Sequence, residues 1–332
     1  MSLLKTAELA RPRVIIKLTG NQVQIGGINF REGDAQAVYQ ECLHMPAKVV
    51  APGPNRLQAL QARLDRSQYI RAVKHLQAHI LRGDCYEVNF CRENYMEDAG
   101  VYPPALFTQL NALSPAPFAA YYRLNNRYLL CSSPERFLQR TGNTVISQPI
   151  KGTSKKDPDP ATDERLRQEL LDNPKERAEN IMVVDLVRND LSHTAVRGSV
   201  QVAELCGIYT FAQVHQMIST VTATLAPGTR LTAVLQHAFP MGSMTGAPKI
   251  RVMQLIEQYE QTRRGLYSGA LGYITPEGNF DFNVVIRSIL YNAENRYLSF
   301  QTGSAITFYS DPAKEWEECL LKAQAMNKVL FE

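Results

Sequence analysis

A chain of 332 residues with 45% hydrophobic and 20% charged side chains and a mean hydropathy of -0.24 can bury a large core, which excludes a disordered tail or a stapled miniprotein. The net charge of +4 comes from scattered Lys and Arg, so it implies neither nucleic acid nor an anionic membrane and suits a small anionic substrate. The six cysteines form no CxxC pair and read as reduced thiols; with no signal-like N-terminus and no apolar run near the ~18 residues of a membrane span, the chain is expected to be cytoplasmic.

In chain order, RVIIKL-TGN-QVQIGG predicts a hairpin, followed by a Pro- and Gly-bearing bend at APGPN. From Ser67, the spacing of Tyr69, Ile70, Val73, Leu76 and Ile80 predicts a helix that Gly83 stops before a strand at CYEVNFC. FAAYYRL-NN-RYLLCSS and RFLQR-TGN-TVISQPI predict antiparallel hairpins, the last strand ending at Ile150. Residues 153–175 read as a polar surface loop with a short helix at ATDERLRQELLD. Further helices are expected from Pro174, near 249–263 and over 312–331, with a meander of strands between the last two. Strands and helices come in separate groups, which predicts an α+β fold with mixed or antiparallel sheet.

Two acidic segments stand out. In NPKERAEN, Asn173 is an N-cap, Pro174 the first helical residue and Glu176 the third, which predicts a capping box; Glu179 lies on the same face one turn later. In DPAKEWEECLLKAQAMNKVL, Glu315, Glu318 and Lys322 share one stripe, and Trp316, Leu320, Ala323 and Leu330 an apolar one. For an arbitrary ExxE motif the usual account is a solvated helix face, here with a Glu318 to Lys322 ion pair; if the two helices met, their carboxylates would need a cation, and an all-oxygen set suits Mg²⁺.

Together PIKGT (149–153), KERAENIMVVDLVRNDL (175–191), VHQMIS (214–219), PMGSMTGAPKIR (240–251) and EWEECLLK (315–322) make the chain resemble the chorismate-utilising enzymes, from about residue 67 to the end. The resemblance implies a single chorismate-binding domain of two packed, mainly antiparallel β-sheets with helices outside. Residues 1–66 would be a shortened N-terminal part of the scaffold, and 67–332 the catalytic region. It implies Mg²⁺ held directly by Glu179 and Glu318 and through water by Glu176 and Glu315. Glu135, in SSPERF, becomes the general acid for the hydroxyl leaving C4 of the ring, a task that suits a desolvated carboxyl. His215 in VHQMIS, Arg287, Lys322, Thr153, and the backbone of Gly246, Ala247 and Gly303 become substrate contacts, with the Arg287 guanidinium suited to a carboxylate.

Lys151 by itself reads as a solvated charge at a strand end; within this motif it becomes a reactive amine that selects among the siblings. PIKGT resembles the aminodeoxychorismate synthase component I branch, in which this lysine attacks C2 of chorismate and ammonia then displaces it at C4. The nitrogen comes from a glutaminase partner, a glutamine amidotransferase subunit, and the product leads to p-aminobenzoate and folate. Anthranilate synthases typically carry alanine here, and isochorismate synthases use a lysine at the position of Glu87. Such a nucleophile needs an amine below the ordinary lysine pKa of about 10.4, and burial is expected to lower it. Glu87, where the aminating members usually carry glutamine, faces either solvent or the site. Ala305 stands for the second glycine of the family's AGAGI segment, read here as TGSAI. A degenerate, non-catalytic binding subunit is the alternative outside enzymology, and the short N-terminus motivates it.

Overall fold

The computed structural model describes residues 10–45, 59–211 and 214–331, in two compact units, 1–53 and 54–332. In the first, β1 (Val14–Thr19) and β2 (Gln22–Gly27) form the expected antiparallel hairpin, and α1 (Asp34–His44) follows. The bend expected at APGPN lies outside the described residues.

The second unit begins with β3 (Gln61–Ala62), α2 (Arg66–Leu81) and β4 (Glu87–Met96). After α3 (Pro103–Leu113) come β5 (Phe118–Leu124), β6 (Arg127–Ser133), β7 (Arg136–Thr141), β8 (Thr144–Gln148) and β9 (Ile150–Lys155). Helices α4 (Pro160–Asp172) and α5 (Pro174–Ser192) then lead to β10 (Gln201–Thr210) and β11 (Val214–Thr224). The chain continues through α6 (Leu231–Ala238), a 3-10 turn (Gly242–Met244), β12 (Gly246–Ala247) and α7 (Lys249–Tyr259). It closes with β13 (Ala270–Ile274), β14 (Phe280–Val284), β15 (Ser288–Asn292), β16 (Tyr297–Ile306) and α8 (Pro312–Phe331).

These strands build two seven-stranded antiparallel sheets. The first runs β12-β4-β16-β15-β6-β5, with β3 on β4; the second runs β10-β11-β8-β7-β14-β13, with β9 on β11. The chain passes from one sheet to the other with no helix between at two places, from β6 to β7, at 133–136, and from β14 to β15, at 284–288. The two crossings lie side by side, because Val284 N–H donates to the Glu135 carbonyl at 3.0 Å and Ser132 N–H to the Arg287 carbonyl at 3.2 Å. Glu135 and Arg287 therefore sit where the sheets meet.

Helices α2, α7 and α8 close the first sheet over a core of Tyr69, Val73, Leu76, Phe90, Val252, Leu255 and Trp316, and α5 and α6 close the second over Phe137, Leu138, Val183, Val187, Val221 and Phe280. Of the predicted stripe of α2, Tyr69, Val73 and Leu76 are buried and Ile70 and Ile80 half-buried, and the helix starts at an Asp65 cap whose carboxylate accepts the Gln68 N–H at 2.8 Å. In α8 the stripe differs by one residue. Leu320 is 38% exposed, and Cys319 takes its place in the run Trp316, Cys319, Ala323, Met326, Leu330, which follows the alternating three- and four-residue spacing of a core-facing helix.

A buried clamp fixes β4 against the turn that precedes β12. The Arg264 guanidinium meets both Glu260 carboxylate oxygens, at 2.9 Å from Nε and 2.7 Å from Nη2, and also donates to the carbonyls of Met244 and Asn89. Glu260 in turn accepts the Cys91 N–H at 2.8 Å. Removing one partner of such a pair leaves an uncompensated buried charge. Glu260→Ala is expected to cost about 3–5 kcal/mol in denaturant unfolding, and a loss below 1 kcal/mol would mean that the clamp does not organise this corner.

Candidate active site

Lys151 lies one residue inside β9 rather than at a strand end. Pro149, which has no N–H, interrupts the edge that β8 and β9 share along β11; Ser219 N–H reaches the Pro149 carbonyl at 3.2 Å, and pairing resumes at Ile150 with Ile218. The register then shifts before Gln216, and Gly152 at φ 88° takes up the irregularity; a Cβ there would lie 3.1 Å from Glu176 Oε2. This delivers Lys151 to the seam between the sheets.

There its Nζ lies 2.8 Å from Glu87 Oε1 on β4 of the other sheet, and both side chains are buried. Glu87 thus faces the site and not solvent. Burial by itself lowers the Lys151 ammonium, but Glu87, Glu179 and Glu135 outweigh it and hold the lysine above its ordinary range. The expected burial-driven loss of the proton is therefore overturned: three carboxylates surround the amine, so the ground state is an ion pair.

Glu135, at the first crossing, is 5% exposed and accepts a hydrogen bond of 2.7 Å from Ser243 Oγ. Burial pushes its carboxyl up to about 7, against the opposing pull of Ser243, Lys151 and the Ile150 N–H. A carboxyl half protonated at neutral pH, next to a lysine, has the properties of a general acid. Ser243 was not predicted; it stands in the PMGSMTGAPKIR motif, and only the fold places it opposite Glu135.

The acidic helices do come together, through a cation that sequence reasoning missed. Lys175 Nζ lies 3.2 Å from Glu315 Oε1 and 3.7 Å from Glu179 Oε1, joining α5 to α8. The Asn173 side chain caps α5 as predicted, accepting from Lys175 and Glu176 N–H. The reciprocal half of the capping box is not made, since Asn173 N–H goes to the Leu170 carbonyl at the end of α4. Glu176 is thereby left facing Gly152, and burial raises its pKa. Burial likewise pushes Glu179 up to about 7. Glu318 is held below its usual range because Lys322, at 2.6 Å, outweighs its burial.

Among the described residues no three acidic, His or Cys side chains converge as a closed metal shell. The donor chemistry nonetheless fits a hard divalent cation. Glu179 Oε1 and Glu315 Oε2 are buried without a hydrogen-bond donor, all four groups offer carboxylate oxygen, and Lys175 is the ammonium that bridges the two helices. Lys175 would have to give way to such an ion.

The substrate contacts divide. Arg287, at the second crossing with φ 50°, makes no side-chain hydrogen bond or ion pair among the described residues, and burial lowers its pKa against the pull of Glu135. Lys322 donates to the Gly303 carbonyl at 3.0 Å, inside β16 opposite Cys91. Gly246 and Ala247 pair with Val88 and Glu87, and a Cβ on Gly246 would lie 2.0 Å from the Glu87 carbonyl, so only glycine allows this approach. Thr153, opposite Gln216, is exposed rather than buried with the other predicted contacts.

His215 turns elsewhere. Its Nε2 meets Asp163 Oδ1 at 2.9 Å and its Nδ1 meets Thr210 Oγ1 at 2.9 Å, so both ring nitrogens are engaged on the side covered by α4. It stands four residues before Ser219, whereas an HxxS spacing needs three. The residue at that spacing is Gln216, which lies on the opposite face of β11, is 1% exposed, and has an Oε1 without a partner.

A profile for chorismate binding enzymes matches residues 5–328. The chain belongs to this family. It is 42% identical over 287 residues to an aminodeoxychorismate synthase of Streptomyces griseus, an alignment covering 86% of this chain and 38% of the relative. It is 39% identical over 274 residues to aminodeoxychorismate synthase component 1 of Klebsiella aerogenes, with 82% and 59% covered. Anthranilate synthase component I from Streptococcus pneumoniae superposes with a TM-score of 0.77 at 25% identity, over 91% of this chain and 69% of that one. The menaquinone-specific isochorismate synthase of Escherichia coli has the same fold, with a TM-score of 0.77. The chain spans less than two thirds of the length of the curated relatives it matches.

In this chorismate binding enzyme Glu135 has a stability signature. Its pKa of about 7 in the fold lies above the 4.5 of the free side chain, so the stability linked to it is complete below about 4.5 and is lost as pH rises through about 7. Glu135→Gln is expected to lose less stability than wild type between pH 5 and pH 8, by up to about 3 kcal/mol. Parallel denaturation curves of the two proteins across that range would refute the raised pKa.

Proposed function

We propose that the chain is an aminodeoxychorismate synthase component I, converting chorismate and ammonia to 4-amino-4-deoxychorismate. The observation that carries this reading is that the seam gathers Lys151, within electrostatic reach of Glu135, and a Glu135 carboxyl raised by burial to about 7. The relatives that are aminodeoxychorismate synthases by name support it.

In this reading Glu135 gives its proton to the hydroxyl leaving C4 while Lys151 bonds to C2; ammonia then bonds to C4 and the lysine leaves C2. Arg287, with no competing partner, holds a substrate carboxylate. Lys322 keeps the Gly303 strand in place, and Gln216 rather than His215 offers a polar contact from β11. Mg²⁺ would be held by Glu179 and Glu318, with Glu176 and Glu315 reached through water, and would supply positive charge for the ring carboxylate. Component 1 relatives imply a second component, so we assign the nitrogen supply to a glutamine amidotransferase subunit. A cytoplasmic setting and a place on the route to p-aminobenzoate and folate belong to the same reading; no described helix is long and apolar enough to cross a membrane.

A second reading, addition at C2 as in anthranilate or isochorismate synthases, is favoured by the ion-paired state of Lys151, since an ammonium is no nucleophile. It also has a relative, an anthranilate synthase component 1 of Streptomyces coelicolor at 36% identity over 282 residues.

Product identification from chorismate, Mg²⁺ and an ammonium salt separates the two. The C4 amine is expected; anthranilate or isochorismate as sole product would sink the first reading. Lys151→Ala is expected to cut C4 amination by roughly a hundredfold or more. Because Glu135 must be protonated to act, turnover should decline as pH rises through about 7. Glu318→Gln should weaken Mg²⁺ binding measured by calorimetry in the presence of chorismate; unchanged affinity would remove Glu318 from the metal site.

A further inference from the structure

The ground state of the seam poses a problem for the proposed chemistry. Lys151 is an ammonium, and its proton must leave before nitrogen can bond to carbon. The groups that face it are Glu87 from β4, Glu135 from the sheet crossing, Glu176 and Glu179 from α5, and Glu318 and Lys322 from α8.

Only one of these is in hydrogen-bond contact with the lysine, Glu87 at 2.8 Å. Glu179 makes no hydrogen bond to the lysine, Glu318 is paired with Lys322, Glu176 faces Gly152, and Glu135 must itself be protonated to act as an acid. Glu87 is 1% exposed, its Oε2 has no partner, and its backbone is pinned by Ala247 and by the approach of Gly246. A carboxylate so held, with one oxygen on the ammonium and the other free, can take the proton without moving and without water.

Resting on the aminodeoxychorismate synthase reading, we propose that Glu87 is a positioning residue that accepts the proton of Lys151 and thereby makes its amine reactive. The steps balance. The proton passes from Nζ to Glu87; the neutral amine bonds to C2 as the C4 hydroxyl leaves as water with the proton of Glu135. The adduct nitrogen is then a secondary ammonium. Ammonia bonds to C4, the C2–N bond breaks, and the lysine departs as a neutral amine that takes its proton back from Glu87. Glu135 is reprotonated from solvent.

The test is adduct formation on Lys151 in a single turnover with chorismate and Mg²⁺ but no ammonia, read by mass spectrometry of the lysine-bearing peptide across pH 6 to 9. In Glu87→Gln the proton must go to solvent. The adduct rate at pH 7 is expected to fall roughly a hundredfold, and below about pH 7, where Glu135 keeps its proton, to gain a rising limb of about tenfold per pH unit that wild type lacks. Glu87→Asp keeps the carboxylate further from Nζ and is expected to react more slowly than wild type without that limb. An adduct rate in Glu87→Gln equal to or above wild type would overturn the proposal, since Glu87 would then only hold the ammonium. Should Glu87→Gln not fold, an undiminished rate in Glu87→Asp overturns it equally. If wild type itself forms no adduct, the nucleophile reading fails and Glu87 loses its role with it; if wild type reacts and Glu87→Gln reacts alike, Glu87 alone is refuted.

Discussion

The site depends on one ion pair that crosses from sheet to sheet, Lys151 to Glu87. Each partner is buried by its own strand, and neither could be buried alone: a lone ammonium or carboxylate in such surroundings would shift its pKa and neutralise or draw in water. Everything that fixes the approach of β9 to β4 therefore bears on the site. Pro149 and Gly152 bend and bulge one side. The Arg264–Glu260 clamp and the glycine contact at Gly246 pin the other.

Around that pair the protein keeps more negative than positive groups and lets burial sort them. Glu135 and Glu179 are both raised to about 7, by the same desolvation, but their neighbours differ. Glu135 has a hydroxyl partner and can hold its proton. Glu179 has a second acidic helix across from it, bridged by Lys175, an arrangement that invites a cation rather than a proton. Two carboxyls of similar pKa are thus suited to different work by what stands beside them.

The elements were largely legible in the sequence because periodicity and turn chemistry are local. The stripe of α2, the hairpins of β5 to β8 and the Asn173 cap were all found where expected. Misreadings arose where one residue of offset decides a face. Leu320 and Cys319 exchange roles on α8. On β11 the strand period of two sends His215 toward α4 and leaves Gln216 with the free oxygen. Lys175 was overlooked because its two partners lie on different helices.

By itself the sequence determined the family, through ordered motifs, and named the glutamates, the lysine and the arginine that the fold gathers at its seams. It could not say that Glu87 faces Lys151. A strand residue's side is set by register and by which sheet it belongs to, and the two residues are far apart along the chain. Nor could it give the sign of the Lys151 shift. Burial lowers an amine and a nearby carboxylate raises it, and which prevails depends on distances of a few ångströms that exist only once both sheets are packed.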